Sequence, residues 1–340
     1  MTAAQRAPYA PAVGLWLFAI AGLVAAMILL GGATRLTDSG LSITEWNFAK
    51  QVLPPLSQAA WDREFALYQA TTEYQVQNRG MSMADFQFIY AWEWAHRFFG
   101  KLIGVAFAIP FLAFWATGQL KGRFWPALGL FALGGLQGAV GWWMVTSGLT
   151  GRLDVAPYRL ATHLAIAFAI FAFALILALD CMGWPRRPSR LGAGRTLAWT
   201  LVAALYVQII LGAFLAGSRA GGAFTDWPTI GGEWFPSAYR AIEPAWRNLT
   251  ENPAAVQFNH RTGGYLVALL ALLVAALAAF RGLGAGKWAG LIVGALALGQ
   301  VGLGISTIVH GAPLALSLAH QGLAVLLWGA AILAARAAWR

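Results

Sequence analysis

The chain has 340 residues, of which 59% are hydrophobic and 11% charged, and its mean hydropathy is +0.63. A water-soluble domain carries about a quarter charged residues, so this composition excludes a soluble globular protein. The formal net charge is +10, but no basic run is interleaved with aromatics outside the apolar stretches, which excludes a nucleic-acid partner.

Apolar runs of about 20 residues recur along the chain, long enough to cross a hydrocarbon core about 30 Å thick as helices. They predict eight spans, near residues 13–33, 96–117, 125–146, 159–180, 196–217, 260–280, 288–309 and 317–338. The first follows a short tail holding Arg6. It is too long for a signal-peptide core and no A-x-A cleavage site follows, so it reads as a retained span. The short connections hold Lys121 and Arg123, then Arg186, Arg187, Arg190 and Arg195, then Arg281 and Lys287. Every acidic residue except Asp180 falls on the opposite side. Positive charge concentrated in short loops places those loops, and both termini, in the cytoplasm.

Two long outer loops, 34–92 and 218–259, hold Trp46, Trp61, Tyr68, Tyr74, Tyr90, Trp92, Trp227, Trp234, Phe235, Tyr239 and Trp246. Aromatics at this density predict lids packed at the membrane interface. The single cysteine, Cys181, cannot form an internal disulfide and reads as an inert thiol at a helix end.

The sequence repeats. Span 1 ends Gly31-Gly32-Ala33-Thr34-Arg35 and runs on to Glu45-Trp46; span 5 ends Gly212-Ala213-Phe214-Leu215-Ala216 and runs on to Asp226-Trp227, at a constant offset of 181. Span 3 carries Gln137-Gly138-Ala139-Val140-Gly141 and span 7 carries Gln300-Val301-Gly302-Leu303-Gly304. The predicted fold is therefore an all-α polytopic membrane protein whose eight transmembrane helices form two tandem pseudo-symmetric four-helix bundles, residues 1–182 and 183–340. An even number of spans per unit gives both units the same orientation.

The five histidines are His96, His163, His260, His310 and His320, all at the outer ends of spans. The repeat equates His96 with His260 and His163 with His320. Polar groups at membrane depth face the bundle interior, and two imidazoles on facing helices form an axial pair for a haem iron. Gly100, Gly104, Gly263 and Gly264 would let a flat macrocycle approach the backbone. Zinc is the other metal to weigh, but it would want Cys or carboxylate ligands nearby, and none accompanies His260 or His320. Arg97 and Arg261 directly follow their histidines and are candidates for pairing with haem propionates; each could instead snorkel to the headgroups. His310 has Ser147 as its counterpart and breaks the symmetry.

The units differ beside the ligands. Glu93 stands one helical turn outward of His96, where the second unit has Gln257. A carboxylate there can accept a proton, stabilise a cation or position water, and an amide does no acid–base work. The first unit is thus the candidate reactive one, with Glu93 as its catalytic group, and the second holds a permanent cofactor. The alternative for Glu93 is an interfacial carboxylate paired with Arg97.

Glu93-x-x-His96-Arg97, the stretch Gly-Gly-x-Thr-Arg-Leu-Thr-x-Ser-Gly-Leu-Ser from Gly31, and Leu-Gln-Gly-x-x-Gly-x-x-Met-Val-x-Ser-Gly-Leu at 136–149 together resemble the haem A synthase family, over essentially the whole chain. The resemblance implies an inner-membrane oxidoreductase that converts the C8 methyl of haem O to a formyl group, giving haem A for terminal oxidases. It implies haem O between His96 and His163, and iron of a haem b cofactor between His260 and His320. It also implies an electron acceptor that the sequence does not identify, with haem O synthase and a second copy of the chain as further candidate partners. The outer-loop cysteine pair of some members is missing here. A di-haem, quinol-linked electron carrier would use the same four histidines with no chemistry on the haem. A repeat-built transporter would need broken helices at mid-membrane, and no matching Pro pair is present.

Overall fold

The computed structural model describes residues 9–46, 52–184, 192–281 and 285–337. Among them are eight helices long and apolar enough to cross a membrane: α1 (Pro11–Leu36), α2 (Met83–Ala116), α3 (Phe124–Gly148), α4 (Pro157–Cys181), α5 (Ala193–Gly217), α6 (Pro253–Arg281), α7 (Ala285–Val309) and α8 (Leu314–Arg336). No strand occurs among the described residues. Helices satisfy every backbone group within the segment, which is what hydrocarbon demands. The chain is a multi-pass membrane protein. Arg6, Arg186, Arg187 and Arg190, part of the positive charge assigned to the cytoplasmic side, lie outside the described residues.

Two helices start earlier than hydropathy predicts, at Met83 rather than 96 and at Pro253 rather than 260. Ser82 explains the first: its hydroxyl accepts from the Asp85 N–H at 3.2 Å while Asp85 accepts from the Ser82 N–H at 3.4 Å, a reciprocal cap. The extra turns are amphipathic. Phe86, Ile89 and Tyr90 are buried beside Ile43, Tyr68 and Tyr74, with Trp61 and Phe65 packed against them. The first outer loop is thus a small folded cap that includes helices Gln58–Gln69 and Thr72–Val76. In the second loop Trp227, Trp234, Phe235 and Trp246 are exposed, Phe235 and Tyr239 meet each other and Phe258 of α6, and polar groups add to the hold. Asn248 Nδ2 donates to Ile242 O at 2.6 Å, and Asn252 Nδ2 donates to Ala238 O at 2.7 Å.

Within the membrane, α1 packs on α2 and α4, α3 on α4, α6 on α5 and α7, and α8 on α5 and α7. The two groups of four meet through α4, α5, α1 and α8. Polar side chains fix that junction: Trp328 Nε1 donates to Phe168 O at 3.1 Å, Tyr206 OH to Ala165 O at 3.1 Å, and Gln321 Nε2 to Ile28 O at 2.8 Å. The last needs Gly32, since a Cβ there would fall 1.9 Å from Gln321 Oε1. At the far end Arg336 pairs with Asp180, next to Cys181, which is fully buried at the end of α4.

Candidate haem-binding sites

Because α2 begins at Met83, Glu93, His96, Arg97 and Gly100 lie on one continuous helix above the core. Glu93 is only 2% exposed. Its Oε2 accepts from Ser42 Oγ at 2.7 Å and Ile43 N at 2.8 Å; its Oε1 accepts from Arg97 Nη2 at 2.7 Å and Nε at 3.1 Å. The Arg97 guanidinium also donates to Ile43 O at 2.7 Å and Glu45 O at 3.0 Å. Two oxygens with four donors make a fully engaged carboxylate, and the bidentate pair is the strong form of such a contact. The stretch after α1 is clamped to α2 by this pair.

The second unit builds the same clamp without the charge. Gln257 is fully buried. Its Nε2 donates to Ala220 O and Phe224 O, and its Oε1 accepts from Arg261 Nη2. Arg261 also donates to Thr229 O at 2.7 Å and Asp226 O at 2.9 Å. Arg261 Nε is buried without a partner. Asp226, in the turn that Arg261 grips, accepts from the N–H groups of Gly232 and Gly231 and the Thr229 hydroxyl, which hold its carboxyl well below the usual range.

Each of the four repeat-related histidines rests on a glycine of a neighbouring helix. A Cβ on Gly31 would come within 3.1 Å of His96 Nε2; on Gly141, Gly212 and Gly304 it would come within 3.0 Å of Cε1 of His163, His260 and His320. Each imidazole thus occupies space beside a glycine that a side chain there would contest. Gly104 faces open space, whereas a Cβ on Gly263 would run into Gln208 Oε1 at 2.3 Å.

His260 and His320 have centroids 6.4 Å apart and planes at 80°. A ring nitrogen about 2 Å from a metal puts its centroid about 3.2 Å from that metal, so two rings on opposite sides of one metal stand about 6.4 Å apart. Nδ1 of His163 and of His320 is buried with no hydrogen-bond partner. The donor set thus fits an iron porphyrin at α6–α8. Among the described residues no cluster of three or more His, Cys, Asp or Glu could hold a metal ion, which leaves the zinc alternative without a ligand set. His310 is exposed, with Nδ1 2.8 Å from Ser306 O, outside both pairs.

Three features escaped sequence reasoning. The four glycines were visible as repeat markers but not as shelves for rings. Gln137, Gln208 and Gln300 contact histidines. Arg35, one turn beyond Gly31 on α1, pairs through Nη1 with Asp38 at 3.2 Å while Nε and Nη2, the edge that grips a carboxylate, are buried and unpartnered. An apolar groove of about 720 Å³ opens beside α1, α7 and α8, lined by Leu29, Ala33, Trp92, Leu303 and Leu326.

A sequence model described as cytochrome oxidase assembly protein matches residues 14–332. The chain is 48% identical to a protein of Maricaulis maris named heme A synthase, over 97% of this chain and 96% of that one. Proteins of the same name from Rhodospirillum centenum and a Methylobacterium species are 48% and 49% identical, each over 96% of this chain and 88% and 91% of their own lengths.

Proposed function

The chain belongs to the cytochrome oxidase assembly protein family, and on that premise we propose that it makes haem A, oxidising the C8 methyl of haem O to a formyl group. The observation that carries this reading is the opposed pair His260–His320, at the spacing one iron needs and repeated in sequence by His96–His163. In the proposed division, residues 1–182 receive haem O between His96 and His163, and residues 183–340 hold a haem b between His260 and His320. That bound haem supplies one-electron transfer. Methyl to formyl consumes one water and releases four electrons and four protons, by way of the alcohol, so an electron acceptor is a required partner. The reading includes the inner membrane as location, termini in the cytoplasm and both sites toward the outer side.

The residues of the chain divide the work. Arg35 offers its free guanidinium edge to a carboxylate of the substrate; Arg97 and Arg261 each keep one N–H beyond their clamps for the same purpose. The apolar groove beside α1 and α8 gives a greasy substrate lateral access.

Glu93 has two readings. Its four donors favour a clamp. Yet Gln257 makes the equivalent clamp as a neutral amide, so the clamp does not require a charge, and the carboxylate is what the first unit alone possesses. This favours Glu93 as the group that orients water or takes a proton beside the first site. Glu93→Gln separates the two: bound porphyrins with no formyl product support the chemical role, and full haem A yield removes it.

Expression in a host that makes haem O but no haem A, followed by mass identification of the extracted pigments, tests the activity. Haem A and its alcohol precursor are expected. Two unchanging haems at fixed stoichiometry would instead identify a di-haem electron carrier.

A further inference from the structure

Three of the four paired histidines are met by a glutamine from a neighbouring helix, and the fourth is not. Gln137 Nε2 on α3 donates to His163 O at 3.0 Å and lies 3.4 Å from the ring Nε2, leaving Nδ1 unpartnered. Gln300 on α7 repeats both contacts with His320, to O at 3.0 Å and to Nε2 at 3.4 Å, again with Nδ1 unpartnered. Gln208 on α5 donates to His260 O at 2.8 Å and lies 3.0 Å from Nδ1. In all three, the other amide atom, Oε1, is buried with no donor.

By the repeat, the residue that should serve His96 is Met27, which stands 181 positions before Gln208. It occupies the same place. A Cβ on Gly100 would meet Met27 Cε at 3.2 Å; one on Gly264, the counterpart of Gly100, would meet Gln208 Nε2 at 3.4 Å. The adjacent position changes with it. Gly263, whose missing side chain makes room for Gln208, has Phe99 as its counterpart. The first unit lacks both the glutamine and its accommodating glycine. Among the described residues no side-chain hydrogen bond reaches the His96 ring.

A histidine that ligates metal is oriented by a hydrogen bond to its other nitrogen, and losing that partner typically costs about 10–100-fold in metal affinity. Each amide nitrogen grips the carbonyl of its histidine and lies against one nitrogen of the same ring, which limits the ring's rotation, and a thioether has no N–H to do either. A site that keeps its porphyrin gains from two held ligands. A site that must release its product gains from one that gives way.

We infer that Gln137, Gln208 and Gln300 are positioning residues that hold three iron ligands in register, and that Met27 leaves His96 the one loosely held ligand, through which the first site exchanges its porphyrin. This rests on the reading of the first unit as the substrate site.

The test uses the purified full-length protein with its bound porphyrins, following their transfer to excess apomyoglobin and their low-spin electron paramagnetic resonance signals. The wild type should release porphyrin in a fast phase and a slow one. Gln208→Met should speed the slow phase about tenfold and move one low-spin signal. Met27→Gln combined with Phe99→Gly should slow the fast phase about tenfold, with the slow phase and its signal unchanged as an internal check of folding. Met27→Leu, which preserves bulk and like Met offers no N–H, should release like the wild type. Two bound porphyrins with unaltered phases and signals in both designed variants would overturn this inference and leave the functional reading standing. A wild type with no porphyrin in the first unit would overturn both.

Discussion

Arg219 pairs with Asp38 at 2.9 Å, and the two residues are 181 positions apart, the offset that superimposes one half of the sequence on the other. They follow the outer ends of α5 and α1, and both take the left-handed backbone conformation, at φ 53° and 52°. Equivalent positions of the repeat thus meet with opposite charges. Arg219 also grips Asp154 at 2.6 Å, so one guanidinium ties both halves and the α3–α4 connection; these contacts hold its pKa above the usual arginine value.

Because Arg219 and Asp38 are each more than a third exposed, solvent screens the network. Arg219→Ala should lower stability by about 1 kcal/mol or less, and 0.5 M salt should erase most of the difference. Thermal unfolding in detergent at two salt concentrations measures this. A salt-independent loss would mean that the side chain acts by packing.

The glycine shelves give a paired prediction on one helix. Gly304→Ala places a methyl 3.0 Å from His320 Cε1, while Gly302→Ala meets nothing within 4 Å. The first should displace the ring, shift the low-spin signal of the second porphyrin and cost about 1–3 kcal/mol. The second should be silent. Equal effects of the two substitutions would deny the shelf a role.

The histidine pairs should fail separately. His260→Ala or His320→Ala should abolish the six-coordinate signal of one porphyrin and leave the other, as should His96→Ala for its own site. Loss of both pigments from any single substitution, with the fold intact by circular dichroism, would contradict two independent sites.

The outer cap carries a pH dependence of predictable sign. Glu73 is buried and accepts from Tyr68 OH at 3.1 Å; burial pushes its carboxyl up from 4.5 to about 7, against the lowering effect of that hydrogen bond. An acid raised in the folded state binds its proton more tightly there than when unfolded. Its contribution is complete below about pH 4.5 and is lost as pH rises through about 7, a change of about 3 kcal/mol. Limited proteolysis between Gln58 and Val76 should therefore accelerate from pH 5 to pH 8. Glu73→Gln, which stays neutral and still accepts from Tyr68, should flatten that profile.

Hydropathy was sufficient for the eight spans, because apolar length is a local property. In hydrocarbon each segment must satisfy its own backbone, and apolar length reports that directly. The early starts of α2 and α6 were legible only as caps and amphipathic turns, which a hydropathy window ignores. The partners of Glu93 are different in kind. Ser42 lies 51 positions away, and whether it reaches the carboxylate depends on how α2 is rotated against the end of α1. The same holds for Gln208 and His260, 52 positions apart. Rotation about a helix axis is set by the packing of all its neighbours, so the amino-acid order named candidate residues, and only the assembled bundle decided which of them touch.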